Sequence, residues 1–325
     1  MTVRNKDNGQ VRILAVIPCA ILFFLFGCAG GKGFHMEIET GNDSSRRIQE
    51  LAEKQMQGDL PAKDLPEITG DEYERMGDAL LSKKNLYLAY YQYEKSLQLN
   101  PGNLRVEHKK GLVLLLGGKN EDAIKQFQIV LDQNPDYAPV YEGIGRAHFQ
   151  KKEYNQAEKN FLKAVVLDPR LWKSYTYLGY ICDHRKDYQT AVHEYTAALQ
   201  VNPGNGLIYN NLGVSYSLAG NYKKAVVAFH RAIDLNYREG KVYNNLAMAL
   251  ANLERYDEAL DAFKKVGGEA VAYNNMGCIY MSRGMFEDAV RSFEKAIELE
   301  PGYYAKAGDN LKKAKVLSNR SKTIN

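Results

Sequence analysis

Residues 206–236 read GLIYNNLGVSYSLAGNYKKAVVAFHRAIDLN. Tyr209, Leu212, Gly213 and Tyr216 recur at helical spacing and make one apolar stripe on a first helix. Ala225 and, four residues on, Phe229 belong to a second helix. The small Gly213 and Ala225 let the two helices approach closely in antiparallel fashion, and Phe229 fills the space beside them.

The same unit recurs on both sides. Gly stands at 77, 111, 145, 179 and 213, each 34 residues after the last. Ala stands at 89, 123, 157, 191, 225 and 259, and an aromatic follows each one at Tyr93, Phe127, Phe161, Tyr195, Phe229 and Phe263. Pro101, Pro135, Pro169 and Pro203 close four units, since proline cannot continue a helix. One unit of 30 residues intervenes, short by four around Val266-Gly267-Gly268, and Tyr273, Gly277, Ala289, Phe293 and Pro301 then restore the pattern. No unit can bury its apolar stripe alone, so neighbours must stack.

These residues and this period resemble the tetratricopeptide repeat. The resemblance spans seven units: 70–103, 104–137, 138–171, 172–205, 206–239, 240–269 and 270–303. It departs from the pattern at Glu107, Lys110, Ala247 and Tyr237. It implies an all-α, right-handed superhelical solenoid whose concave surface is lined mostly by first helices. Thr69 with Glu72 predicts a capping box where the array begins. Residues 304–325 predict a capping helix and tail, with Ala307, Leu311, Ala314 and Val316 inward and Lys306, Lys312, Lys313 and Lys315 outward.

Composition narrows what such a solenoid does. The 325 residues carry 43 Lys+Arg against 39 Asp+Glu, a formal charge of +4 that speaks against a nucleic-acid partner. A hydrophobic content of 45% excludes disorder for most of the chain. Cys19, Cys28, Cys182 and Cys278 match no zinc spacing, and the six histidines form no His-Glu-x-x-His. No nucleophile triad, paired-carboxylate cleft or nucleotide fingerprint stands out. The expectation is a protein without catalytic residues, metal, cofactor or small-molecule substrate.

The N-terminus reads as an address. Arg4, Lys6 and Arg12 precede an uncharged run from Ile13 to Phe26, too short for a membrane span of roughly 20 residues and suited to a secretory signal. Leu25-Phe26-Gly27-Cys28 resembles the bacterial lipobox, which implies cleavage after residue 27 and acylation of Cys28. Residues 28–69 then form a lipid-anchored tether, loosened by Gly30, Gly31 and Gly33 and stiffened by Pro61 and Pro66. Ala29 in place of Asp points to the periplasmic face of the outer membrane. Cleavage after Ala29, giving a soluble product, and an uncleaved anchor over 13–30 are the alternatives.

Along the groove, the repeat positions place Asp71, Glu74, Arg75 and Asp78 in unit one. Arg105, His108, Lys109, Arg146, Lys173, Phe149, Tyr177 and Tyr180 follow in units two to four, and Asn210, Asn211, Asn244, Asn245, Asn274 and Asn275 in units five to seven. An asparagine amide both donates and accepts, so stacked asparagines suit an extended peptide backbone. Phe149, Tyr177 and Tyr180, beside Arg146, offer an aromatic anchor. Both sets also admit a purely structural role. The layout as a whole resembles outer-membrane pilotin-type and tight-adherence (Flp) pilus lipoproteins. That implies secretin or pilus-assembly components as partners; a scaffold for exopolysaccharide export and an adaptor for a protease or peptidoglycan hydrolase are the other readings.

Overall fold

The structure, a computed structural model, describes residues 68–300, 302 and 304–324. The signal segment, Cys28 and the tether up to residue 67 lie outside the described residues, as does Pro301. All regular structure among the described residues is helical. The first helices are α1 (Gly70–Ser82), α3 (Leu104–Leu116), α5 (Ala138–Gln150), α7 (Trp172–His184), α9 (Gly206–Leu218) and α11 (Gly240–Asn252). Their partners are α2 (Leu86–Leu99), α4 (Asn120–Gln133), α6 (Tyr154–Leu167), α8 (Tyr188–Val201), α10 (Tyr222–Asp234) and the first arm of α12 (Tyr256–Ser282). The second arm of α12 pairs with α13 (Phe286–Leu299), and α14 (Tyr304–Ile324) packs on α13. Each pair packs within itself and against the next, which makes an all-α solenoid.

Local chemistry sets the boundaries. The Thr69 side chain accepts from the Glu72 amide at 3.3 Å, and the Thr69 amide donates to Glu72 Oε2 at 2.7 Å, so the capping box opens α1. Asn100, Asn134, Asp168 and Asn202 end four second helices with φ between −129° and −142°, because the following proline ring excludes the helical region. Between the two helices of each pair one residue turns left-handed: Lys84, Gly118, Lys152, Lys186, Gly220, Glu254 and Gly284, with φ from 60° to 76°. Three of the seven are glycine, which takes that geometry at no steric cost.

The core repeats one contact. A Cβ on Gly213 would lie 2.5 Å from Phe229 Cε1, one on Gly145 2.8 Å from Phe161, and one on Gly277 2.6 Å from Phe293. Gly77 sits still closer to Tyr93, and Gly111 to Phe127. Each ring is fully buried and packs against the bare backbone of the first helix. In unit six Ala247 takes the glycine position and is itself fully buried near Phe263.

One detail differs from the sequence reading: in the terminal helix, Val316 faces solvent at 51% exposure while Ser318 is buried. Helical periodicity explains it: 307, 311, 314 and 318 fall on one face, whereas 316 is two residues off it.

Gly213→Ala should therefore cost about 1–3 kcal/mol of unfolding free energy, by pushing a methyl into the Phe229 ring. Lys152→Gly should gain about 1 kcal/mol, by removing a side chain from a left-handed position. Urea denaturation of the two variants beside the parent measures both, and a Gly213→Ala protein as stable as the parent would show that the ring shifts freely.

Candidate functional site

First helices of neighbouring units approach one another, α3 to α5, α5 to α7, α7 to α9, α9 to α11 and α12 to α14; no two second helices do so to the same extent. The solenoid therefore bends toward its first helices, and their facing side chains line the concave surface.

In units one and two these side chains neutralise each other. Glu74, 4% exposed, accepts from Arg105 Nη2 and Lys109 Nζ, each at 2.7 Å. Lys109 also reaches Asp78 Oδ2 at 2.6 Å, and Tyr93 Oη donates to Asp78 Oδ1 at 2.7 Å. Burial alone would raise the Glu74 pKa, but the hydrogen bonds from Arg105 and Lys109 outweigh it and hold the carboxyl below its ordinary value. His108 turns into the core between Phe127 and Tyr137, at ring distances of 5.8 and 5.7 Å. Desolvation, then the nearby Arg146 charge, push it down to about 4, so it is neutral at pH 7.

Units three and four bring the predicted aromatics together. Phe149 meets Tyr177 at 4.9 Å and Tyr180 at 5.0 Å, both edge-on. The group is tied inward as well: Phe149 also meets Tyr154 at 5.6 Å, and Tyr177 stacks on Phe161 at 4.9 Å. Arg146 hydrogen-bonds Tyr177, whose pKa is raised chiefly by burial. Lys173 lies 5.5 Å from the Trp172 ring, and Glu142 accepts from Ser174 Oγ at 3.0 Å. Burial, opposed by Glu142 and aided by Arg146, lowers the Lys173 pKa.

The asparagines divide into two sets. Asn210, Asn245 and Asn274 are buried, while Asn211, Asn244 and Asn275 are half-buried. Asn245 Nδ2 donates to Asn210 Oδ1 at 3.3 Å, linking α11 to α9, and Asn210 Nδ2 donates to Asn211 Oδ1 at 3.3 Å. Asn310 of α14 continues the row, donating to Asn274 Oδ1 at 3.3 Å and to Cys278 Sγ at 3.6 Å. The buried members join units, and the half-buried members are the ones placed to meet a ligand. Asn310 extends the row, a continuation the repeat pattern did not bring out.

Asp183 is the other residue that sequence reading passed over. Its carboxylate accepts from Ser215 Oγ at 2.8 Å and from Tyr195 Oη at 3.2 Å, joining α7, α8 and α9. Burial pushes it up to about 6 despite those two bonds. A signal existed: Tyr93 and Tyr195 occupy ring positions where the other units carry Phe, and each hydroxyl donates to an aspartate. Beside it, burial pushes the Cys182 thiol up to about 11.

Models of the tetratricopeptide repeat match residues 108–171, 207–236, 241–266 and 270–303. A stretch of 76 residues is 29% identical to superkiller complex protein 3 of Homo sapiens, covering 23% of this chain and 5% of that protein. A stretch of 98 residues is 26% identical to the STIP1 homolog of Dictyostelium discoideum, covering 30% and 17%. The matches thus span a small part of these curated relatives. Among solved structures, the C-terminal part of a tetratricopeptide-repeat protein from Cytophaga hutchinsonii superposes with a TM-score of 0.56 at 18% identity, over 73% of this chain and 98% of that one. YrrB, described as a tetratricopeptide-repeat protein with an unusual peptide-binding site, gives 0.48 at 26% identity, over 57% and 97%.

Asp183 makes stability depend on pH. Its folded value lies above the ordinary 3.8, so the fold binds the proton more firmly than the unfolded chain, and stability falls as pH rises from there to about 6. Asp183→Asn, which keeps an acceptor for Ser215 and Tyr195, should match the parent near pH 4 and exceed it by on the order of 2–3 kcal/mol near pH 8. Urea melts at the two pH values test this; a variant less stable than the parent near pH 8 refutes it.

Proposed function

We propose that this protein is a non-catalytic scaffold that holds extended segments of partner proteins along its concave face. An acylated Cys28 tethers it to the periplasmic face of the outer membrane, and it serves the assembly of a pilus or its secretin ring. The observation that carries the binding reading is the row of first-helix amides and rings fixed in place by bonds between units. Asn245 and Asn310 hold the buried amides, which leaves Asn211, Asn244 and Asn275 half-buried alongside. Each such amide can accept from a peptide N–H and donate to a peptide C=O. The Arg146, Phe149, Tyr177 and Tyr180 group adds an aromatic anchor further along the same surface. Because the groove side chains are already ordered, a partner meets a surface whose entropy cost of binding is reduced.

The non-catalytic reading is supported by what the titratable groups do. Glu74 and Asp183 are each occupied by donors that join helices, and His108 is stacked in the core. The anchor and the pilus assignment rest on the sequence: Leu25 to Cys28, Ala29, and the layout of tether, seven units and Lys-rich final helix.

Cys28→Ser should abolish incorporation of a labelled fatty acid and move the protein from the membrane to the soluble periplasmic fraction. Retention in the membrane would point instead to an uncleaved anchor. Cross-linking in whole membranes, followed by identification of the linked proteins, tests the role. A secretin or pilus subunit should be recovered with the parent and lost with the Asn211→Ala, Asn244→Ala, Asn275→Ala triple variant. Equal recovery would remove the amides from the binding site, and export machinery or a hydrolase in its place would overturn the pilus assignment.

A further inference from the structure

The cations of the concave face are not all matched. Arg105 and Lys109 in unit two meet Glu74 and Asp78 at 2.6 to 2.7 Å. One unit on, Arg146 of α5 and Lys173 of α7 lie near enough on neighbouring first helices for the charge of one to act on the other, and neither makes an ion pair among the described residues. Glu142 is the carboxylate whose charge acts on Lys173, and it accepts a hydrogen bond from the hydroxyl of the fully buried Ser174. Lys173 is half-buried over Trp172, and Arg146 is half-buried beside Tyr177. Two cations, partly removed from water and set against one engaged carboxylate, repel each other. Burial and Arg146 accordingly lower the Lys173 pKa. An anion bound between them would relieve that repulsion and gain charge-assisted hydrogen bonds.

Resting on the peptide-groove reading, we propose that units three and four form a receptor for an acidic side chain of the bound segment. An aspartate or glutamate sits between Arg146 and Lys173, with an apolar neighbour against Phe149 and Tyr180. The acid belongs to a side chain rather than to a chain terminus, because the same segment continues to the amides of units five to seven. Successive units lie about 10 Å apart and an extended chain rises about 3.3 Å per residue. One unit therefore corresponds to about three residues of ligand, and the acid, set between units three and four, lies about four to five residues from the part meeting Asn211 in unit five.

The test selects peptides on the full chain held in detergent. The probe is a pool of acetylated, amidated twelve-residue peptides randomised at every position, so that no terminal carboxylate is present. Selected peptides should share one register enriched in Asp or Glu. Exchanging that acid for its amide should weaken binding on the order of tenfold or more. Arg146→Gln with Lys173→Gln should erase the acidic register while peptides are still captured, and Lys173→Arg should keep it. Lys173→Gln alone should melt no lower than the parent, which separates a lost site from a lost fold. Peptides selected without an acidic register, or with one that survives the double variant, overturn the proposal and leave the groove reading standing. No peptide captured at all overturns both.

Discussion

The contact between a bare glycine backbone and a buried ring sets the spacing of six of the seven helix pairs among the described residues. Where Gly213 meets Phe229, any side chain on the first helix would occupy the space of the ring. The two helices can then close on each other without a layer of side chains between their backbones at that point. Because the ring spans the pair, the next unit finds an apolar face presented at a fixed angle. Stability in such a stack is a sum of unit and neighbour terms, so repetition of one contact is what lets a long chain fold without a single large core. Unit six, with Ala247 against Phe263, shows the contact tolerating one methyl where the adjoining connection is also changed.

Close approach of the first helices has an electrostatic consequence. Side chains on the concave face of one unit meet those of the next, and polar groups caught there must find partners or stay costly. Glu74 is satisfied by two cations and Asp183 by two hydroxyls, and the Oδ1 atoms of Asn210 and Asn274 accept from the amides of Asn245 and Asn310, although Asn274 Nδ2 has no hydrogen-bond partner among the described residues. Those bonds join units and fix their register. What they leave over, half-exposed amides and the Arg146–Lys173 pair, is what the surface has to offer a partner.

The period of 34 made the pairs, their ring contacts and their proline stops legible, since each is a residue type recurring at one place in the unit. The left-handed turns were hidden, because four of the seven are Lys or Glu, residues that give no hint of positive φ. At the groove, position within the repeat identified the asparagines and the aromatic group but not which of each pair would be buried. Asn210 and Asn274 occupy the earlier place of their pairs and Asn245 the later one, so burial depends on the neighbouring unit rather than on place alone. Asp183 escaped notice because its role is visible only once Tyr195 and Ser215 are brought to it from two other helices.

The short sixth unit shows how the row survives a deletion. In units one to four a second helix ends, passes through an extended residue and a proline, and the chain turns into the next first helix. Here Gly267 and Gly268 alone make that junction, Gly268 at φ 82° and ψ −175°, a region essentially confined to glycine. The loss therefore falls largely on the connection. At the far end of the same two units, Arg283 donates to Tyr256 Oη at 3.0 Å and to Asn252 Oδ1 at 3.2 Å, and its guanidinium lies over the Tyr256 ring. With both ends held, Gly277 still meets Phe293 and Asn274 still accepts from Asn310. A glycine pair in place of a loop shortens the chain, and beyond it the amide contacts resume, with Asn274 accepting from Asn310.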